Sequence, residues 1–77
     1  PLSVRDRQAP AMEILVNGER QQAPDACTIA QLIESLGIIG GRLAVEVNRD
    51  VVPRAERAVT ELQPGDRVEI VHAIGGG

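Results

Sequence analysis

"TIAQLIESLG" (residues 28–37) is where the chain commits to a fold class. Thr28 with Gln31 three positions later matches a capping box, in which the threonine hydroxyl accepts from the N3 amide and the glutamine side chain reaches back to the cap amide. Ile29, Leu32, Ile33 and Leu36 fall at i, i+3, i+4 and i+7, a single apolar stripe. Gly37 then supplies a C-terminal stop. The stretch predicts one amphipathic helix of about two and a half turns. One stripe covers one face of one sheet, and the flanking sequence must provide it.

Upstream, Met12, Ile14 and Val16 alternate with Glu13, Leu15 and Asn17, the period of a strand. Asn17-Gly18 is the favoured dipeptide of a tight primed turn, and "ERQQA" follows as a polar return strand at a sheet edge. Downstream, "RLAVEVN" alternates with Leu43, Val45 and Val47 on one side. "NRD" turns the chain, and "VVPR" is held to a short strand because Pro53 lacks a donor and belongs at an edge. Residues 54–62 are ambiguous, with a turn of helix one option. Pro64-Gly65 suits the centre of a type II turn, after which Val68, Ile70, His72 and Ile74 alternate as the last strand.

Hairpin, helix and further strands make an α+β protein of β-grasp type: a mixed four- to five-stranded sheet covered on one face by one main helix. The last strand is expected beside the first, because the hairpin and crossover helix leave the central slot for a later parallel strand. Residues 12–74 form this domain. Residues 1–11, "PLSVRDRQAPA", have two prolines and no period, and read as a disordered leader or expression remnant. Residues 75–77 form a flexible glycine tail.

Composition narrows the function. At 77 residues there is room for one small domain. A single cysteine excludes an internal disulfide framework, a four-cysteine zinc site and a cysteine-ligated iron-sulfur cluster. A reducing cytoplasm is therefore expected. The lack of Phe, Tyr and Trp and a net charge of -3 argue against nucleic acid. Apolar runs are too short to span a bilayer, so no membrane role is expected. From Met12 on, six arginines face ten acids. Such a balance fits an acidic carrier with basic partners, or simply a soluble small protein. There is no lysine and no G-x-x-x-x-G-K-[ST] loop, so ATP would have to be held by another protein.

The final stretch, "VHAIGGG" (residues 71–77), carries the chemistry. Glycine loses the most entropy on ordering and adds no burial, so a terminal run of it does nothing for a fold. Without Cβ atoms a backbone threads a narrow channel and leaves its carboxylate open to attack. Those are the needs of a carboxyl group presented to another protein's active site.

From Met12 to Gly77 the sequence resembles the ThiS family, the β-grasp sulfur carriers of thiamine biosynthesis, which are related to the molybdopterin-synthase small subunit and more distantly to ubiquitin. The matching pieces are the opening strand with "NG", "TIAQLIESLG", "LAVEVN", "VVPR", "LQPGDRVEIVHA" and the closing glycines. The resemblance implies a carrier and not an enzyme. A ThiF-like, E1-type enzyme would adenylate the Gly77 carboxylate using ATP and Mg, so that this chain binds no cofactor itself. A cysteine desulfurase relay would replace AMP with sulfur to give a thiocarboxylate, and a ThiG-like thiazole synthase would accept that sulfur. Gly75 and Gly76 complete the tail, with Gly75 serving as spacer where the family needs only two glycines.

Other residues carry weaker signals. Ile74, the last side chain before the glycines, suits a partner groove. His72 either contacts a partner or finishes its strand. Arg54 and Arg49 are partner contacts on rigid loops or solvated charges. Cys27, just before the helix cap, is either a small loop residue or a thiol whose pKa the helix N-terminus lowers. The competing functions are a molybdopterin-synthase small-subunit-like carrier and a non-carrier β-grasp interaction module.

Overall fold

A computed structural model describes residues 11–39 and 41–73. The chain forms β1 (Ala11–Val16), β2 (Glu19–Pro24), α1 (Ile29–Ser35), β3 (Arg42–Val47), β4 (Asp50–Val51) and β5 (Arg67–Ala73), with a 3₁₀ turn at Arg54–Glu56. The five strands make one mixed sheet in the order β2-β1-β5-β3-β4. As expected, β5 lies beside β1 and parallel to it, with β3 antiparallel on its other side. β1 begins at Ala11, one residue before the boundary drawn from the sequence, and Ala11 pairs with Pro24. Residues 1–10 lie outside the described residues.

The turns form for the reasons that their sequences give. Asn17 and Gly18 both have positive φ, 51° and 84°, the primed geometry that joins β1 to β2. Asn48 and Arg49 repeat it between β3 and β4, at 51° and 73°. The Pro64-Gly65 turn is closed by the Asp66 amide donating to the Gln63 carbonyl at 3.1 Å.

The capping box of α1 is complete. The Gln31 amide donates to Thr28 Oγ1 at 3.2 Å, and the Thr28 amide donates to Gln31 Oε1 at 2.9 Å. The helix is seven residues long, close to two turns, so it is slightly shorter than its stripe predicts. Its first amides are taken by the segment that the sequence left ambiguous: Ile29 donates to the Thr60 carbonyl and Ala30 to the Arg57 carbonyl. Leu62 in turn donates to the Cys27 carbonyl at 2.8 Å. Residues 57–62 are thus held by spare helix-terminal groups and not by a period of their own.

Ile29 and Leu32 of α1 pack on Met12, Ile14 and Val16 of β1, Val45 of β3 and Val68 and Ile70 of β5, all buried. Ala23, Cys27, Val52 and Leu62 close the ends of this aliphatic core. The other sheet face is open, and Val71 on it is 65% exposed.

β1 and β5 overlap little. Only Leu15 with Arg67 and Val16 with Val68 are paired, whereas β3 follows β5 from Val68 to Ala73. Beyond β1 the ladder is extended by a side chain: Asn17 Oδ1 accepts from the Ile70 amide at 2.8 Å, and its Nδ2 donates to the Ile70 carbonyl at 3.2 Å. No helix among the described residues is long and apolar enough to cross a membrane.

Candidate functional site

The end of β5 is where the sequence places the function. Ile74, Gly75, Gly76 and Gly77 lie outside the described residues, and Ala73 is the last residue before them. Ala73 pairs with Arg42, and His72 pairs with Leu43. The exit of β5 is therefore braced by the start of β3.

Gly41 sits against this exit at φ 73°, and a Cβ added to it would lie 2.6 Å from the Ala73 carbonyl oxygen and 2.7 Å from His72 Nε2. Only a residue without a side chain lets the loop close on the imidazole and on the Ala73 carbonyl. His72 itself is half-buried, on the same side of β5 as Val68 and Ile70.

The two arginines chosen from the sequence part company. β4 runs antiparallel to β3, and the Val52 amide continues it by donating to the Val45 carbonyl at 2.9 Å. This path carries Arg54 to the Arg42 end of β3. Arg49 lies at the opposite end, in the turn after Val47, which pairs with Val68 at the beginning of β5. The structure thus brings Arg54 to the exit of β5 and leaves Arg49 at the far end of the sheet.

Two further arginines join Arg54. Gly41, Arg42, Leu43, Arg54 and Arg57 line one cleft of about 430 Å³. β4 stops before it can pair with Leu43, and the Arg57 guanidinium takes the missing strand's place, with Nη2 donating to the Leu43 carbonyl at 2.7 Å. Arg57 Nε is buried with no hydrogen-bond partner. Sequence reasoning missed Arg42 and Arg57. The available signal was Pro53, which ends β4 early and leaves a β3 carbonyl needing a donor.

Of the two readings considered above, Cys27 is the small loop residue and not the thiol with a lowered pKa. It is buried in the core, its Sγ donates to the Thr28 carbonyl at 3.3 Å, and burial pushes the thiol pKa up from its ordinary 9.0. Desolvation outweighs the short helix in front of it, because the neutral thiol is the form that an apolar site favours. Among the described residues no group of three or more His, Cys, Asp and Glu side chains could hold a metal ion.

The sequence model described as the ThiS family matches residues 9–77. This chain belongs to the ThiS family. The sulfur carrier protein ThiS of Escherichia coli is 32% identical over 66 residues, covering 86% of this chain and 100% of that protein. A thiazole synthase of Paramagnetospirillum magneticum is 36% identical over 66 residues. These are 86% of this chain but 20% of the synthase, so the chain spans a small part of that relative. The crystal structure of the thiamine biosynthesis protein ThiS from Geobacter metallireducens matches with a TM-score of 0.73 at 28% identity, over 86% of this chain and 100% of the other. The mixed five-stranded sheet with one helix is the β-grasp fold of the ThiS family.

Proposed function

We propose that this protein is a sulfur carrier for thiazole formation in thiamine biosynthesis, a carrier and not an enzyme, and that its working group is the carboxyl of Gly77. The observation that carries the proposal is a family match running through Gly77, on a domain whose last described strand is central in the sheet and braced by β3 at its exit. A carboxylate is a poor electrophile. An E1-type, ThiF-like partner holding ATP and Mg would let the carboxylate oxygen attack the α-phosphorus, releasing pyrophosphate and leaving an acyl adenylate. The outer sulfur of a persulfide on a cysteine desulfurase relay would then displace AMP to give an acyl disulfide. A second thiol would attack the relay's sulfur, forming a disulfide with it and releasing the thiocarboxylate, which is anionic and nucleophilic at neutral pH. Likeness to a thiazole synthase supports a ThiG-like enzyme as the acceptor. A reducing cytoplasm suits such a labile sulfur.

Each residue has a place in this scheme. Gly76 and Gly75 thread into the partner, and Ile74 anchors the threaded segment in a groove. His72 and Arg54 meet the partner around the exit of β5. Arg49, at the far end of the sheet, is reached only by a partner that spans the sheet's length.

The test is intact mass. With the adenylating enzyme of the same genome, Mg-ATP and a sulfur source, the protein should gain the mass of one oxygen exchanged for sulfur. No gain under conditions that adenylate another ThiS protein would refute the proposal. One residue appended after Gly77 should abolish AMP transfer and leave the melting temperature unchanged.

A further inference from the structure

Arg42, Arg54 and Arg57 line a single cleft, and no acidic residue lines it with them. This is unusual in a chain whose net charge is -3 and which holds only eight basic residues. Among the described residues, neither Arg42 nor Arg54 has a carboxylate partner. Arg57 is fixed by its bond to the Leu43 carbonyl, yet its Nε–H is buried and unused. Three cations gathered without a counter-charge repel one another, and the orphaned donor adds a desolvation cost. A single incoming anion relieves the repulsion.

We propose that this cleft is a socket for an Asp or Glu side chain of the adenylating partner, which extends the function proposed above and rests on it. Position supports this occupant. Arg42 pairs with Ala73, so a protein that takes up the residues following Ala73 passes over the rim of the cleft. The chemistry agrees: a guanidinium presents a planar fork that matches a carboxylate in two parallel bonds. Arg57 is held in place before binding, so it loses little freedom when the anion arrives. Gly41 and Leu43 supply the uncharged part of the wall, against which the methylenes of an acidic side chain can lie.

The experiment measures affinity for the adenylating enzyme of the same genome without ATP, at low and high salt, by anisotropy of the labelled full chain. R42Q/R54Q should weaken binding about tenfold and flatten its salt dependence, with circular dichroism verifying the fold. R42K/R54K, which keeps the charge, should retain most of the salt dependence. Equal affinity and equal salt slope for wild type and R42Q/R54Q overturn the socket, as does failure of the wild type to bind. A titration with inorganic phosphate that saturates the arginine Nε–H signals, while R42Q/R54Q binds the enzyme normally, assigns the cleft to a free anion and also overturns it. Binding is read apart from chemistry, so the two proposals fail separately. Arginine-dependent binding without AMP transfer keeps the socket and removes the carrier function; AMP transfer with arginine-independent affinity does the reverse.

Discussion

Asn17 grips Ile70 by both of its backbone groups, accepting from its amide at 2.8 Å and donating to its carbonyl at 3.2 Å, across 53 positions of sequence. Asn17 is also the first residue of the β1–β2 turn, at φ 51°. One side chain thus finishes a hairpin and lengthens the parallel ladder. Replacing it with alanine leaves two groups of Ile70 unpaired and puts a less tolerant residue in the left-handed region. Asn17→Ala should destabilise the fold by about 2–3 kcal/mol in urea unfolding and speed amide exchange at Ile70. Unchanged exchange there would show that the clasp is dispensable.

Gly41 is the second point where the exit of β5 is set. A Cβ would collide with the Ala73 carbonyl and the His72 ring, and the φ of 73° disfavours any side chain. Gly41→Ala should lower stability by about 1–3 kcal/mol and shift the amide resonances of His72 and Ala73. Wild-type spectra and stability in that variant would mean that the loop has room to spare.

The capping box gives a smaller, local prediction. Thr28→Ala removes the acceptor for the Gln31 amide and should reduce stability by about 1 kcal/mol. Gln31→Ala should lose less, and the double variant less than the sum, because each side chain serves the other's amide. Strict additivity in thermal unfolding would argue against the reciprocal pair.

Cys27 predicts a pH dependence. Its folded pKa lies above the ordinary 9.0, so at alkaline pH the unfolded chain releases a proton that the folded chain keeps. The contribution is fully present below 9.0 and is lost as pH rises from 9.0 toward the folded pKa. Urea midpoints should therefore fall more steeply as pH rises above 9.0 for wild type than for Cys27→Ala. Alkylation of native Cys27 by iodoacetamide should be slow at neutral pH and become fast on unfolding.

Much of the fold is legible where signals are local. The Thr28–Gln31 box, the alternation of Met12, Ile14 and Val16 and the two positive-φ turns depend on neighbours in sequence, and the placing of β5 beside β1 follows from chain order. What escapes is set by tertiary partners. Residues 57–62 have no period because the free amides of α1 hold them. Cys27 reads as part of a polar loop, "APDACT", and its burial is set by partners distant in sequence, Leu62 of the same core cluster among them. Asn17 reads as a turn residue alone, since nothing local points to Ile70. At the candidate site, Arg54 and His72 are visible from sequence. Arg42 and Arg57 are not, because their meeting depends on how early β4 ends, and Arg49 is drawn away by the hairpin it helps to turn.

The short overlap of β1 with β5 has a mechanical consequence. Past the Asn17 clasp, the strand pairing of β5 among the described residues is with β3. A pull transmitted through Ala73 would load the Ala73–Arg42 pair first and then His72–Leu43, before the rungs whose Ile70 and Val68 side chains are buried in the core. Under the function proposed above, such a zipper would let a partner that takes up the residues after Ala73 draw out an extra residue or two of slack while the core stays folded.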